Sequence, residues 1–285
     1  MMMRTILVPI FQGCSGEGAL DAALGVAKRM NSHIRAVFTR PDPDAAMRYI
    51  PETVIAGGIN RASIEQEGQR AADAEKARFD AWRVEHELTA EPVGKRLDSR
   101  FASWAEQVGE IEQTVTHFGR VSDLIAISHF TQSDVTAARC FDAAVFGAGR
   151  PTLLVPQQLP WDMLDHVMIA WNGSLEASHA VFGAMPLLHE ARQVSIFSAP
   201  EVDGDQPVGA ELAEALSWYG IQTRRIGHPD AGGSTGAALL AAARERKATL
   251  IVMGAYTHSR LQQAFLGGVT RRILAEATIP VLMSH

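Results

Sequence analysis

The chain has 285 residues, enough for two domains of ordinary size, of which 47% are hydrophobic and 20% charged. This composition is typical of a folded globular protein and argues against intrinsic disorder. The net charge is −6 and the longest apolar runs are strand-sized, so we expect no nucleic-acid partner and no membrane span.

The two cysteines, Cys14 and Cys140, are too few for a disulfide framework. The N-terminus also lacks a long apolar stretch followed by a small-residue cleavage site, so we expect no signal peptide. Both observations favour a cytoplasmic location.

The first half of the chain begins with alternating strand and helix patterns. Ile6–Ile10 predicts a strand, apolar spacing over Gly18–Met30 predicts a helix, and His33–Thr39 predicts a second strand. The charge-rich stretch at about 62–88 predicts a long helix. We expect this helix to be mostly solvated; packing over a site or against the other half is the alternative.

Residues 99–118 carry apolar side chains at helical spacing. The pattern predicts a further amphipathic helix over Ser99–Phe118. Its apolar face comprises Phe101, Trp104, Ala105, Val108 and Ile111.

The second half repeats the order of the first. Matching strands are Ile6–Ile10 with Val167–Trp171, Asp123–Ile127 with Thr249–Met253, and the proline-led Pro151–Val155 with Pro280–Met283. The remaining elements predicted there are a helix over Ser174–Glu190 with Ser174 as N-cap, a strand over 194–198, a helix over 210–219, a strand over 222–226 and a helix over 234–246.

Strands that alternate with helices predict right-handed βαβ units and parallel sheets buried on both faces. The expected fold class is therefore α/β, with two tandem doubly wound domains that each contain a mainly five-stranded parallel sheet. Pro156 and Pro160 mark a linker, which places the domains at residues 1–156 and 162–285.

Three loops of the second half supply the candidate site, because ligands of open α/β sheets bind beyond the carboxyl ends of the strands. Asn172 offers hydrogen-bond donors and an acceptor, while glycine amides and a helix start attract phosphate. The alternative is that the glycines merely serve tight turns. The candidate binding residues are Ala170, Trp171, Asn172, Ser198, Met253, Gly254, Thr257, Gly267, Gly268, Val269 and Thr270.

These loops resemble the universal stress protein family, most closely at Val167–Ser174 and Leu250–Met283. The resemblance covers essentially the whole chain as two tandem copies. It implies a five-stranded parallel fold of the adenine nucleotide alpha hydrolase type. For many members it also implies ATP binding through a first-strand aspartate and a loop of the form G-x2-G-x9-G-(S/T).

The second half keeps part of that motif. Gly254 and Gly267 stand at the first and third glycines, whereas Thr257, Gly268 and Asn172 replace the second glycine, the small hydroxyl residue and the aspartate. A threonine Cβ hinders close backbone approach to phosphate. The resemblance thus implies ATP as the ligand of this half, and a degenerate scaffold or a binder of another small ligand is the alternative.

The first half departs further from the motif. Phe11 stands at the aspartate position and Ser128 at the first glycine. We therefore expect that this half does not bind nucleotide in the family's manner. The resemblance also implies that Thr152–Val155 and Val281–Met283 pair antiparallel in an internal pseudo-dimer, and the sequence leaves open a further homodimer.

No general base or acidic Mg²⁺-binding pair stands out in the candidate loops, so we expect nucleotide binding with little or no turnover. No catalytic residue and no metal site is predicted. The weakest alternative is a hydrolase with Cys14 as nucleophile, its thiol pKa lowered by the start of a helix.

Overall fold

The computed structural model describes residues 3–14, 16–48, 51, 58–91, 101–131, 133–156, 159, 162–198, 209–227, 234–255 and 268–285. Two of the candidate binding residues, Thr257 and Gly267, lie outside these ranges, as does most of the proposed linker.

The first half contains five parallel strands and the helices that connect them. In chain order its described elements are β1 (Thr5–Phe11), α1 (Glu17–Met30), β2 (His33–Arg40), α2 (Pro43–Met47), α3 (Arg61–Glu85), β3 (Ala102–Val108), α4 (Ile111–Gly119), β4 (Leu124–Ser128), α5 (Val135–Asp142) with a π-helical turn (Ala143–Gly147), and β5 (Thr152–Val155).

The second half has the same strand count. Its described elements are β6 (His166–Trp171), α6 (Leu175–Gly183), α7 (Met185–Glu190), β7 (Gln193–Ser198), α8 (Ala210–Trp218), β8 (Thr223–Gly227), α9 (Thr235–Glu245), β9 (Leu250–Gly254), α10 (Gly268–Glu276) and β10 (Val281–Ser284).

The ten strands in the described ranges form one sheet in the order β3-β2-β1-β4-β5-β10-β9-β6-β7-β8. Within each half the neighbouring strands are parallel, and β5 and β10 join the halves as an antiparallel pair with Leu153 opposite Leu282. The structure confirms the predicted fold class and shows the expected pairing of the two last strands.

The sheet is buried on both faces. Successive residues of β1 alternate between two apolar cores: Ile6 and Val8 lie in the core that includes α1, and Leu7 lies in the core that includes α4 and α5. Burial on both faces explains why the strands read as almost continuous apolar runs. Within the described ranges, no helix has the length and apolarity needed to cross a membrane.

The long helix α3 is present over Arg61–Glu85, and one face of it is buried. Its start is fixed by Asn60 and Ser63, which cap each other's backbone amides. Phe79 packs against Trp104 of β3 at 5.5 Å between ring centroids, and Trp82 Nε1 donates a hydrogen bond to Asp21 of α1. The helix therefore covers the first half of the sheet with one face and meets solvent with the others.

The helix predicted over Ser99–Phe118 is wrong. The structure has strand β3 at Ala102–Val108 and helix α4 at Ile111–Gly119, with Gly109 between them at φ +146°. The strand pairs with β2 over seven consecutive residues, and this ladder satisfies its backbone on the paired side. β3 is an edge strand with an exposed end, so its apolar residues follow no clear alternation.

The helix predicted over Ser174–Glu190 is two helices, α6 and α7, that meet at Ala184. Pro186 lies in the first turn of α7, where its missing N–H costs no intrahelical bond. Ser174 caps α6 as predicted, and its side chain accepts a hydrogen bond from the Ala177 amide.

Candidate functional site

A cavity of about 110 Å³ opens at the carboxyl ends of β6 and β9. We call it the C-terminal cavity. Its position is where open α/β sheets bind ligands. Its lining residues are Ala170, Trp171, Asn172, Ser174, Phe197, Thr235, Leu239, Met253, Gly254, Val269 and Thr270.

The wall of the C-terminal cavity is mainly apolar. Ala170 of β6 lies opposite Met253 of β9 in the parallel register, and Phe197 comes from the neighbouring strand β7. Leu239 of α9 and Val269 of α10 complete the apolar lining from the helices above the sheet. A flat apolar group such as a heterocyclic base suits such a wall.

Two helices border the C-terminal cavity, and each presents a threonine there. Thr235 is the first residue of α9, whose N-cap is Ser234, and Thr270 lies in the described part of α10. The first amides of a helix lack intrahelical partners and carry partial positive charge, so they attract anions. The start of α9 at this cavity therefore favours a ligand that carries negative charge.

A close contact at a glycine and a hydrogen bond hold α9 and α10 together beside the cavity. A Cβ added to Gly236 of α9 would lie 3.3 Å from the Cα of Val269, so the absent side chain permits close packing. Arg272 Nη1 of α10 donates to the Oγ of Ser234, the N-cap of α9, at 3.1 Å. These contacts fix the spacing of the two threonines.

Asn172 forms the exposed rim of the C-terminal cavity. Its Oδ1 accepts a hydrogen bond from the Ser174 amide at 3.1 Å, which closes the turn between β6 and α6. One acceptor of the carboxamide is therefore already engaged in the turn. The amide donors of Asn172 are the groups that remain for a ligand.

Gly254 is required by packing. A Cβ at this position would lie 2.5 Å from the Ala177 amide nitrogen and 2.7 Å from the Glu176 carbonyl carbon, both in the first turn of α6. The absent side chain lets the end of β9 touch the backbone of α6. Gly254 therefore has a packing role in addition to its predicted place in a ligand loop.

The structure brings together seven of the eleven candidate binding residues. Ser198 and Gly268 do not line the cavity: Ser198 lies beside Trp171 in the sheet register, and Gly268 directly precedes Val269 at the start of α10. Those that line the cavity are Ala170, Trp171, Asn172, Met253, Gly254, Val269 and Thr270, and Thr257 and Gly267 are outside the described residues.

Four lining residues are absent from the predicted binding set: Ser174, which the sequence predicts only as an N-cap, and Phe197, Thr235 and Leu239. Thr235 could have been found, because it lies at the start of the helix predicted over 234–246, which follows a strand in the chain. Phe197 and Leu239 read as ordinary core residues, and nothing in the pattern marks them as part of a cavity wall.

The structure argues against the weakest alternative, a hydrolase with Cys14 as nucleophile. Burial raises the pKa of the Cys14 thiol, although a backbone hydrogen bond at Gly16 opposes this effect. A raised pKa leaves little thiolate at neutral pH, so the nucleophile hypothesis loses its basis. Cys140 is fully buried in the core. No group of three or more potential metal ligands occurs among the residues that the structure describes.

Comparison with known proteins supports the fold over the full length and the family over the second half. The model of the universal stress protein family matches residues 163–285. A search among curated protein sequences finds no match to this chain.

Similar solved structures span almost the whole chain. A universal stress protein from Archaeoglobus fulgidus DSM 4304 has a TM-score of 0.71 at 16% identity and covers 99% of this chain and 96% of its own. A putative universal stress protein from Pseudomonas aeruginosa UCBPP-PA14 has a TM-score of 0.55 at 18% identity, with 98% and 92% covered. A functionally unknown protein from Pseudomonas aeruginosa PAO1 has a TM-score of 0.54 at 17% identity, with the same coverage.

At these identities the solved structures establish the fold, whereas the family model establishes the relationship of the second half. The strand order of the second half, β8-β7-β6-β9-β10, is repeated by the first half as β3-β2-β1-β4-β5. Residues 163–285 therefore belong to the universal stress protein family, and the first half repeats the same fold beside them.

Proposed function

We propose that the second half binds an adenine nucleotide, ATP, in the C-terminal cavity with little or no turnover. The observation that carries the proposal is an apolar cavity at the strand ends with the first turn of α9 and the helix α10 on its border. The apolar wall suits a base, and the start of α9 suits a phosphate.

The lining chemistry favours binding over hydrolysis. The described residues of the C-terminal cavity include no carboxylate, histidine or lysine, so they supply neither a general base nor a ligand for Mg²⁺. Asn172 stands at the position of the family's aspartate and keeps its shape without its charge. We therefore expect a nucleotide sensor or carrier in a stress response.

Isothermal titration with ATP tests the proposal through two leucine substitutions. Ala170→Leu adds a side chain to the wall of the C-terminal cavity and is expected to weaken ATP binding by about tenfold or more, because the added volume fills the space of the base. The matched control, Ala45→Leu, makes the same addition in the first half, where Ala45 lines a different cavity.

Thermal melting of both variants checks that each is folded. Wild-type protein that releases no heat with millimolar ATP would overturn the proposal. A loss of ATP binding in Ala45→Leu, with Ala170→Leu unchanged, would move the nucleotide to the first half.

A second candidate function is a scaffold that no longer binds nucleotide. The observation that favours it is the size of the C-terminal cavity, since about 110 Å³ is smaller than the usual ligand pocket of roughly 300–1,000 Å³. Native mass spectrometry of freshly purified protein separates the two candidates. A nucleotide that copurifies with the chain would count against the scaffold.

We also propose that the halves, residues 1–156 and 162–285, are two domains of an internal pseudo-dimer. The antiparallel pair of β5 and β10 supports this arrangement, because an antiparallel pair of equivalent strands relates the two halves of the sheet by a local two-fold axis. In such a chain one half can specialise while the other keeps the ligand.

A further inference from the structure

The first half has a larger cavity of its own, about 310 Å³, which we call the N-terminal cavity. It opens where β1, β2 and β3 end, at Phe11, Thr39 and Gly109, and is closed on the other side by α2 and α5. Its volume lies at the lower end of the range for small-molecule sites, and its place in the fold is where such sites occur.

The charge at the N-terminal cavity is negative. Asp42 and Glu110 line it together with a single described cation, Arg139. The Arg139 guanidinium is ion-paired with Glu110 at 2.8 Å and with Glu112 at a second, shorter contact. The Glu110 and Glu112 carboxylates together carry one negative charge more than Arg139 neutralises, and Asp42 adds a second.

A buried hydroxyl provides a second, independent sign of a ligand. Thr39 lines the cavity, is only 5% exposed, and its Oγ1 has no hydrogen-bond partner among the residues that the structure describes. A buried hydroxyl without a partner costs free energy unless a ligand or water satisfies it. Thr39 lies directly beside Phe11 in the register of β1 and β2, so the hydroxyl adjoins an aromatic wall.

We propose that the N-terminal cavity binds a small organic cation, an amine or amidine carried on an apolar body. The carboxylates of Asp42 and Glu110 attract the cationic group, and the ring of Phe11 accommodates the apolar body. The same charges repel phosphate, so this half selects a ligand of opposite sign to the one proposed for the second half.

Three probes of nearly the same shape test whether the N-terminal cavity selects a cationic ligand. Benzamidine is cationic, benzamide neutral and benzoate anionic. Isothermal titration of the full chain is expected to show millimolar binding of benzamidine, binding of benzamide that is weaker by about tenfold, and no binding of benzoate. Absence of benzamidine binding, or equal binding of benzoate, would overturn the proposal.

Substitutions of two neighbouring carboxylates test where benzamidine binds. Asp42→Asn removes a charge from the cavity wall but keeps a side chain that can cap α2, so we expect about fivefold weaker benzamidine binding in a folded protein. Asp44→Asn removes the same charge two residues away, outside the lining, and is expected to leave binding unchanged. Equal losses in both variants would mean that benzamidine responds only to the surface charge, and the proposal would fail.

Discussion

The two halves of the chain place different residues at the same points of one fold. β1 pairs with β4, and β6 with β9, in matching registers, which makes Phe11 the counterpart of Asn172 and Ser128 the counterpart of Gly254. Phe11 is 4% exposed and packs into the core, whereas Asn172 is exposed at the rim of a cavity.

The free volume lies at different places in the two halves. In the second half it lies beside Ala170 and Met253. In the first half Phe11 is buried, and the cavity lies between the ends of the strands and α2. The two ligand classes that we propose therefore need no difference of fold.

The largest effect is expected from Phe11→Ala, which removes the side chain that separates the two arrangements. Loss of a buried phenylalanine leaves a cavity and costs about 3–5 kcal/mol of unfolding free energy. Urea denaturation measures the loss. The matched variant Asn172→Ala removes an exposed side chain and one turn hydrogen bond, so it is expected to cost about 1 kcal/mol of unfolding free energy. Equal costs would show that Phe11 is not a core residue.

An intermediate effect is expected from exchanging the residues at the ends of β4 and β9. Gly254→Ser places a Cβ against the backbone of α6, so it forces the strand and helix apart at a cost of about 1–3 kcal/mol. The reverse change, Ser128→Gly, removes a buried hydroxyl without a hydrogen-bond partner in the described structure and is expected to cost less than about 1 kcal/mol. The urea midpoints of the two variants measure these two losses of stability. A Gly254→Ser protein as stable as wild type would mean that α6 can move away freely.

Much of the fold could be predicted from the chain because apolar runs, glycine turns and proline-led strands recur in both halves. The buried strands, such as Leu124–Ser128, can be recognised from their consecutive apolar residues. β3 has no such run, and its stability comes from pairing with β2, whose partner residues lie more than sixty positions away in the chain. Local spacing therefore suggested a helix where long-range pairing produces a strand.

The candidate site was predictable to the extent that it follows from strand ends. Ala170, Asn172 and Met253 could be identified because parallel strands deliver their carboxyl ends to one edge. The N-terminal cavity could not, because it depends on α2 and α5 approaching the strand ends from distant parts of the chain. The clash that Gly254 avoids is equally invisible in the sequence, where a glycine after a strand is simply a turn residue.

The smallest effect is expected from Gly268→Ser, which restores the hydroxyl residue of the family's loop to the second half. A Cβ at Gly268, the first described residue of α10, meets no atom of the described residues within 4 Å, so the serine fits this part of the structure. One added hydrogen bond to a phosphate is expected to strengthen ATP binding by about threefold to tenfold in isothermal titration. Gly227→Ser is the control, because its Cβ is equally unhindered and Gly227 does not line the C-terminal cavity. An equal gain in both variants, or weaker binding in Gly268→Ser, would show that the phosphates do not reach this end of α10. The second half would then hold its nucleotide through the apolar wall alone.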